Sequence, residues 1–152
     1  MKYIKLSQNK KAKVDNEEYK NLSKYKWYFK NGYAVRKEGA YEPLIQMHRL
    51  ILGTPKGKDT DHINGNKLDN RKENLRIASR SENLRNTKKY KTNKSGFKGV
   101  CFYKRKNQWM VQIQVKSKKI HLGYFKDIKK AAKAYNKAAI EYHGEFAKIN
   151  NL

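Results

Sequence analysis

The sequence predicts an α+β protein with a β-rich N-terminal extension, a strand–strand–helix unit, and a three-stranded antiparallel sheet packed on one α-helix. Three observations support this prediction. Apolar and polar residues alternate over strand-length runs, most clearly in QWMVQIQV at residues 108–115. Helix-start patterns occur at Ser79 and Asp127. A polar, basic stretch, NTKKYKTNKSG, separates the two sets of elements. A chain of 152 residues can hold one ordinary domain or two small ones.

Residues 1–40 are predicted to form the β-rich extension. Alternating apolar residues predict two short strands, one with Ile4 and Leu6 and one with Ala12 and Val14. Asp15 followed by Glu18 indicates a capping box that opens a short helix. The Asn-Gly pair in WYFKNGYAV is a hairpin signal, and the aromatic residues around it are expected to pack in a core. The extension is expected either to brace the following segment or to add a strand to it.

Residues 41–86 form the second segment. HRLIL is a short apolar element, and it is followed by predicted strands at residues 61–63 and in NLRIA. Ser79 with Glu82 three residues later forms a second capping-box pattern, so a helix should begin near Arg80. The predicted order in this segment is therefore strand, loop, strand, helix.

Residues 87–94 form a basic linker, and residues 95–152 form the third segment. GVCFY, QWMVQIQV and KKIHLGYF are strand candidates, and the middle one has an apolar face and a polar face. Asp127 is the expected cap of a long helix whose apolar stripe is rich in alanine, and Gly144 is its expected end. Because alanine is small, this helix is expected to lie close to the sheet.

The charge of the chain favours a polyanionic partner. The formal net charge is +24, from 37 Lys and Arg against 13 Asp and Glu. Such a charge opposes compaction, and neutralising phosphates with Lys or Arg releases counterions, so nucleic acid is the favoured partner. An anionic membrane is disfavoured, since no apolar run approaches the roughly 20 residues needed to span a bilayer and the start lacks the apolar core of a secretion signal. We expect a soluble protein.

Cysteine and histidine usage restricts the chemistry further. A single cysteine, Cys101, excludes an intramolecular disulfide and a cysteine-rich zinc cluster. Phosphodiester hydrolysis needs a base for the attacking water and a cation for the phosphate charge, and Mg²⁺ needs only one or two protein oxygens. Asp61 and His62 supply a carboxylate and an imidazole on opposite faces of a predicted strand. The pair alone is compatible with a hydrolytic site and with an ordinary surface loop.

The residues that follow Asp61 and His62, and their spacing, resemble the motif of a known family. HINGNKLDNRKENLRIAS, with Asp61 before the histidine, Asn74 twelve residues after it and Asn83 nine residues further on, resembles the HNH nuclease family in its phage and intron-encoded homing endonuclease variety. The resemblance implies a ββα-metal fold for residues 41–86. Because many relatives have histidine where Asn83 lies, it also implies the H-N-N subtype.

The same resemblance implies roles for four residues. His62 corresponds to the general base, and Asp61 and Asn83 to the protein ligands of a single Mg²⁺ or Mn²⁺. Asn74 corresponds to the asparagine that ties the loop and so orients His62. His48 is expected to be a packing residue rather than a catalytic one. Three asparagines are expected to serve turn geometry: Asn64, Asn66 and Asn70. Four arginines are candidate phosphate contacts: Arg71, Arg76, Arg80 and Arg85.

A second resemblance covers residues 95–150. Gly99-Val100, Trp109, LGYF, the AAKAYNKAA helix and the closing Asn150 resemble the ethylene-response-factor, or apetala-type, DNA-binding domain. It implies a sheet that enters the major groove of double-stranded DNA. The implied contact residues are Lys98, Cys101, Tyr103, Arg105, Gln112, Gln114, Lys119 and His121. Plant members are arginine-rich and have tryptophan at the position of His121, so their preferred sequence does not transfer to this chain.

These features favour a site-directed DNA endonuclease of a mobile genetic element, acting in the cytoplasm of a bacterial or phage-infected cell. A single HNH centre addresses one strand, so nicking is expected, with 5′-phosphate and 3′-hydroxyl ends. The protein would be a monomer or a homodimer without a small-molecule cofactor. A non-catalytic DNA-binding regulator would need only the C-terminal segment. A ribosomal-type RNA-binding protein would explain the basic composition and leave the motifs coincidental.

Overall fold

The computed structural model describes residues 1–87 and 92–152, which form two compact units, Met1–Asn83 and Leu84–Leu152. The prediction of mixed α and β structure with small sheets and few helices is confirmed. The finer division at residues 40, 86 and 94 stays a prediction, and residues 88–91 of the predicted linker lie outside the described residues. Within the described ranges, the helices fall short of the length and apolar character that crossing a membrane requires.

The first unit is built from small antiparallel sheets and short helices. Its elements in chain order are β1 (Lys2–Lys5), β2 (Lys11–Val14), α1 (Asn16–Leu22), β3 (Tyr28–Lys30), β4 (Tyr33–Arg36), β5 (Ile45–Gln46), α2 (Met47–Leu52), β6 (Asp59–His62) and β7 (Leu75–Ala78), followed by α3 (Arg80–Arg85), which crosses the boundary to the second unit. Strands β1 and β2 pair with each other, β4 pairs with β3 and β5, and β6 pairs with β7.

Local signals account for several of these elements. Asn31 and Gly32 have φ values of 51° and 89° between β3 and β4, the left-handed backbone that an Asn-Gly hairpin turn requires. Before α3, the backbone N–H of Ser79 donates to the Glu82 carboxylate at 2.7 Å, and the Glu82 N–H donates to the Ser79 hydroxyl at 3.3 Å. The predicted capping box at the start of α3 is therefore formed.

The capping box predicted at the start of α1 is not formed. Asp15 occupies the cap position, but its side chain does not bond the first turn of the helix. The Asp15 carboxylate instead accepts a hydrogen bond from the backbone N–H of Lys72, at 2.8 Å. A partner distant in sequence therefore competes successfully with the local helix N–H groups for the same acceptor.

The N-terminal hairpin is bonded to the loop between β6 and β7. The backbone N–H of Lys13 donates to the Leu68 carbonyl, and the Lys13 carbonyl accepts from the Asn70 N–H, both at 2.8 Å. Apolar residues from β1, β2, α1, β4 and α2, and from the segments that follow β1 and precede β3, form one buried cluster comprising Ile4, Leu6, Ala12, Val14, Leu22, Trp27, Ala34 and Met47. The extension therefore braces the segment that contains the predicted site, one of the two arrangements expected from the sequence.

The second unit consists of a three-stranded antiparallel sheet and a long helix. The strands are β8 (Val100–Tyr103), β9 (Gln108–Val115) and β10 (Lys118–Phe125), with β9 in the centre, and the helix is α4 (Ile128–His143). The Asp127 carboxylate accepts from the Lys130 N–H at 2.7 Å, and Gly144 ends the helix, as the sequence indicates. Val100, Val111, Ile113 and the buried alanines of α4 pack together, so the sheet and helix share one core.

A close approach of α4 to the sheet fixes the residue before β8. Gly99 has φ +76°, and a Cβ atom at this position would overlap the ring of Tyr135. Glycine is therefore required at residue 99 both by the lack of space for a Cβ atom and by the positive φ.

Asn150 is bonded to the residue before Gly99. Its Oδ1 accepts from the Lys98 N–H at 2.6 Å, and its Nδ2 donates to the Lys98 carbonyl at 3.1 Å.

Candidate functional site

The hairpin of β6 and β7, followed by α3, supports most of the predicted hydrolytic residues. In its register Asp61 lies opposite Arg76. Since side chains alternate along a strand, Asp59 and Asp61 lie on one face of β6 and His62 lies on the other. The strand therefore separates the candidate metal-binding carboxylate from the candidate base, as the sequence predicts for adjacent residues.

Asp61 is buried and paired with Arg76. The Nη2 and Nε atoms of Arg76 lie 2.7 and 2.9 Å from the Asp61 Oδ2, and Asp61 is 4% exposed. The sequence suggested Arg76 as a phosphate contact, whereas its guanidinium compensates the charge of a neighbouring carboxylate. Arg76 sits on β7 directly across from Asp61, so the pairing follows from strand register.

His62 is buried against three polar or aromatic groups. Its Nε2 lies 3.0 Å from Asn70 Oδ1, and its ring centroid lies 5.0 Å from that of His48 and 6.2 Å from that of Tyr33. Burial lowers the pKa of His62, and the hydrogen bond with Asn70 partly opposes this shift. His62 is therefore favoured in the neutral form, which can accept a proton near pH 7.

His48 packs beside the candidate base. Burial, followed by repulsion from His62, lowers the pKa of His48 to about 3. Its ring centroid lies 4.9 Å from that of Tyr33, and among the described residues its Nδ1 has no hydrogen-bond partner. A neutral, buried imidazole in this position agrees with the expected packing role.

Asn74 ties the loop, and Asn70 contacts His62. The Asn74 Oδ1 accepts from the backbone N–H of Asn64 at 3.0 Å, and its Nδ2 donates to the Asp69 carbonyl at 2.7 Å. Asn70, assigned to turn geometry from the sequence, is fully buried and reaches the imidazole directly. Asparagine in a loop is typical of turns, so no pattern in the sequence separated Asn70 from its neighbours.

Asn83 is hydrogen-bonded to Asp59, which was not among the site residues predicted from the sequence. Its Nδ2 donates to Asp59 Oδ2 at 2.8 Å, and the Arg80 guanidinium lies 3.3 Å from the same oxygen. The hydrogen bond from Asn83, followed by that from Arg80, lowers the pKa of Asp59. Asp59 could have been found from alternation, because it shares the face of β6 that contains Asp61.

The oxygen donors of this face suit a hard divalent cation. The carboxylates of Asp59 and Asp61 and the amide oxygen of Asn83 are the ligand types that Mg²⁺ and Mn²⁺ prefer. In residues 1–87 and 92–152 no group of three or more His, Cys, Asp or Glu is arranged to hold a metal. This donor set fits a cation that keeps several waters, as Mg²⁺ does, better than a fully enclosed zinc site.

Most predicted DNA contacts lie on the sheet face of the second unit that points away from α4. By strand register and alternation this face contains Cys101, Tyr103, Gln112, Gln114, Lys119 and His121. Arg105 is exposed in the turn between β8 and β9. Lys98 is the exception, because its ammonium donates to the backbone carbonyls of Arg85 and Thr87, and burial lowers its pKa to about 8.

An aromatic residue on the same face was missed. The ring centroid of Tyr124 lies 4.6 Å from that of His121 and 5.5 Å from that of Tyr103, and the Lys106 Nζ lies 3.9 Å from the Tyr124 ring. The register of β10 shifts between His121 and Gly123. Simple alternation would put Tyr124 on the opposite face, so only the irregularity brings it to the predicted contact surface.

Comparison with known proteins points to one family. A family model described as HNH endonuclease matches residues 47–85. The chain is 31% identical over 148 residues to the uncharacterized HNH endonuclease L560 of Acanthamoeba polyphaga mimivirus, covering 93% of this chain and 75% of that protein. It is 35% identical over 95 residues to Protein 3.8 of Escherichia phage T7, covering 62% of this chain and 78% of that protein.

A separate likeness covers a smaller part of the chain. It is 41% identical over 56 residues to APETALA2-like protein 2 of Oryza sativa subsp. indica, which is 37% of this chain and 13% of that protein. No solved structure matches the chain.

Proposed function

The chain belongs to the HNH endonuclease family, and from this premise we propose that it is a metal-dependent DNA endonuclease guided by its C-terminal unit. The observation that supports this most directly is the β6–β7 hairpin, which has buried His62 on one face and Asp61 on the other, with Asn83 bonded to the neighbouring Asp59. These groups supply a base and oxygen ligands in one short segment.

In this proposal each residue has a separate role. His62 takes the proton from the attacking water, and its lowered pKa keeps it ready to do so near neutral pH. Asp61 and Asn83 hold one Mg²⁺ or Mn²⁺, which when bound stabilises the negative charge of the scissile phosphate. Asn74 fixes the loop between the strands through its two amide hydrogen bonds. Arg76 compensates the buried Asp61 charge.

The C-terminal unit is proposed to position the enzyme on duplex DNA. Its exposed sheet face combines amide, cationic and aromatic side chains, which are suited to base edges and phosphates in the major groove. The likeness to APETALA2-like proteins over 56 residues supports an apetala-type DNA-binding domain here. We further propose a homing role, with nicking by a monomer or double-strand cleavage by a homodimer, leaving 5′-phosphate and 3′-hydroxyl ends.

The test begins by identifying the DNA site. Duplexes with randomised sequence are selected for binding to the His62→Ala variant, which is expected to bind without cutting, and the selected site is cloned into a supercoiled plasmid. The wild-type protein with Mg²⁺ or Mn²⁺ should convert this plasmid to nicked circles, whereas EDTA or His62→Ala should leave it intact. Linear product would instead support cleavage of both strands.

Two outcomes would contradict the nuclease proposal. Specific binding by wild-type protein without any cleavage in either cation would favour a DNA-binding regulator. Strong preference for RNA over duplex DNA, again without cleavage, would favour the RNA-binding alternative. Asp61→Ala and Asn83→Ala should lose cleavage and keep DNA affinity, because the proposed DNA contacts lie in the C-terminal unit.

A further inference from the structure

Asn70 is a polar side chain with no exposed surface. Its Oδ1 lies 3.0 Å from His62 Nε2, and its Nδ2 lies 3.5 Å from the sulfur of Met47. Each end of the carboxamide therefore has its own neighbour inside the first unit. Rotation of the carboxamide by 180° would place its oxygen against the Met47 sulfur, which has no hydrogen to donate, so the observed orientation is favoured.

The orientation of this amide determines where the proton of neutral His62 resides. A carboxamide oxygen can only accept a hydrogen bond, whereas the NH₂ group can only donate. Met47 Sδ is a weak acceptor, so it faces the Asn70 NH₂ group and the oxygen faces His62. Nε2 of the imidazole must then be the N–H donor, and the remaining lone pair is on Nδ1.

The backbone around Asn70 is fixed independently of its side chain. The Asn70 N–H donates to the Lys13 carbonyl, and the Lys13 N–H donates to the Leu68 carbonyl. On the adjacent residue, the Asp69 carbonyl accepts from Asn74 Nδ2. Strand β2 and the loop asparagine together hold the amide before any substrate binds, and β2 lies outside the residues 47–85 that the family model matches.

We propose that Asn70 is the positioning residue that holds His62 in its Nε2–H tautomer and so makes Nδ1 the atom that removes the proton from water. This inference rests on the proposed function, in which His62 is the general base. Asn70 touches neither substrate nor cation in this role, and it acts entirely through the imidazole. The N-terminal hairpin contributes through Lys13, whose backbone holds the loop in place.

The first experiment measures the tautomer in the wild-type protein without metal or DNA. Two-bond ¹H–¹⁵N NMR correlations of the histidine rings are recorded at about pH 8, above the ordinary histidine pKa, and the His62 signals are assigned from the spectrum of His62→Gln. The expected pattern is a protonated Nε2 and an unprotonated Nδ1. A protonated Nδ1 in the wild-type protein would overturn the proposal.

The second experiment compares two replacements at residue 70. Asn70→Leu removes the acceptor and keeps a similar volume, so His62 should populate both tautomers and the turnover rate should fall about 10²-fold or more, the range that a positioned general base contributes. DNA affinity should stay unchanged. Asn70→Asp restores an acceptor, so the Nε2–H signal and most of the activity should return.

A purely structural role for Asn70 would give a different result. If folded Asn70→Leu kept the Nε2–H tautomer, or if it lost the tautomer and kept full turnover, the positioning role would be excluded. Because the NMR measurement needs no cleavage, it still tests the tautomer if the nuclease proposal fails. Cleavage by the wild-type protein with an Nδ1–H tautomer would preserve the nuclease proposal and reject this one.

Discussion

Arg76 holds the buried carboxylate of Asp61 from the neighbouring strand, with two guanidinium nitrogens 2.7 and 2.9 Å from one oxygen. The Arg76 side chain is 13% exposed and that of Asp61 is 5% exposed. Little water reaches either group, so their ion pair offsets part of the cost of burying both charges. The candidate metal ligand thus lies against a cationic partner, which a divalent cation would join or displace.

Removing Arg76 should destabilise the metal-free protein. Arg76→Ala removes the guanidinium that lies against the buried Asp61 carboxylate, and the expected loss is about 3 kcal/mol or more in the free energy of unfolding. Mg²⁺ or Mn²⁺ should restore part of this loss by binding at Asp61. Urea unfolding with and without the cation measures both effects.

Arg80→Ala is the matched control, since Arg80 is 78% exposed in its ion pair with Asp59. Its cost should be at most about 1 kcal/mol, as for other surface pairs. Equal costs for the two arginine variants would argue against a special dependence of Asp61 on Arg76.

Asp59 is predicted to control cation affinity through Asn83. Its carboxylate holds the Asn83 amide at 2.8 Å, so Asp59→Ala should free that side chain to rotate and weaken Mn²⁺ binding by about 10- to 100-fold, as is usual when a partner of a metal ligand is lost. Calorimetric titration with Mn²⁺ measures the dissociation constant. Unchanged affinity in Asp59→Ala, together with lost affinity in Asn83→Ala, would show that Asn83 needs no such support.

The stability of the first unit should fall as the solution is acidified. His48 has its pKa lowered to about 3 in the folded protein from an ordinary value of 6.5, so the unfolded chain binds a proton that the folded chain excludes. Stability is therefore complete above pH 6.5 and falls towards pH 3, by about 1.4 kcal/mol per pH unit for one such group. The lowered pKa of His62 acts in the same direction.

Unfolding free energies measured at about pH 7 and 5 avoid the range in which carboxylates titrate. His48→Phe keeps a ring in the cluster and removes the titrating group, so its pH slope should be smaller than that of the wild-type protein. An equal slope in the two proteins would show that His48 is protonated in the folded state.

Gly99→Ala should destabilise the second unit severely. The added Cβ would overlap the Tyr135 ring, and either the helix or the sheet would have to move. Overpacking of this kind costs about 1–3 kcal/mol, beyond the strain of a positive φ. Gly144→Ala is the control, because it also has positive φ but nothing within 4 Å of the added atom. Thermal unfolding should show a clearly larger decrease for Gly99→Ala than for Gly144→Ala.

Gln112 is predicted to contribute to sequence preference, whereas Lys119 contributes to general affinity. Gln112→Ala should reduce the ratio of affinities for selected and random DNA, because an amide can pair with adenine in the major groove. Lys119→Ala should weaken binding to both and lower the log–log salt slope by about 0.9. Binding measured at several salt concentrations separates the two effects. A uniform loss for Gln112→Ala would remove it from base recognition.

Elements with strong local signals were predictable from the sequence. The α4 helix lies between Asp127 and Gly144, and β9 alternates as expected, because capping and side-chain period depend on a few adjacent residues. Contacts between distant residues were not predictable. The Asn70 amide lies against His62 in a loop that is hydrogen-bonded to β2. The Asp15 carboxylate bonds the backbone N–H of Lys72 instead of the first turn of α1.

The candidate site shows the same division. The sequence identified Asp61, His62, Asn74 and Asn83 as a set, and their roles remain predictions. It did not identify the contact of Asn83 with Asp59, which depends on the placement of α3, or the pairing of Arg76 with Asp61. Tyr124 depends on a register shift in β10. Alternation places Asp59 on the face of Asp61, but the three contacts require the pairing of strands or helices, which residue spacing alone does not specify.

The attachment of the N-terminal hairpin to the β6–β7 loop has a consequence for the order in which the first unit folds. The Asp15–Lys72 hydrogen bond joins residues 57 positions apart, and closing a loop of that size costs entropy before its contacts are gained. The order around His62 should thus appear late in folding, once both ends of this loop have met. Partly folded or truncated chains would contain the histidine without its oriented partner, so nuclease competence should develop together with the global folding of the first unit.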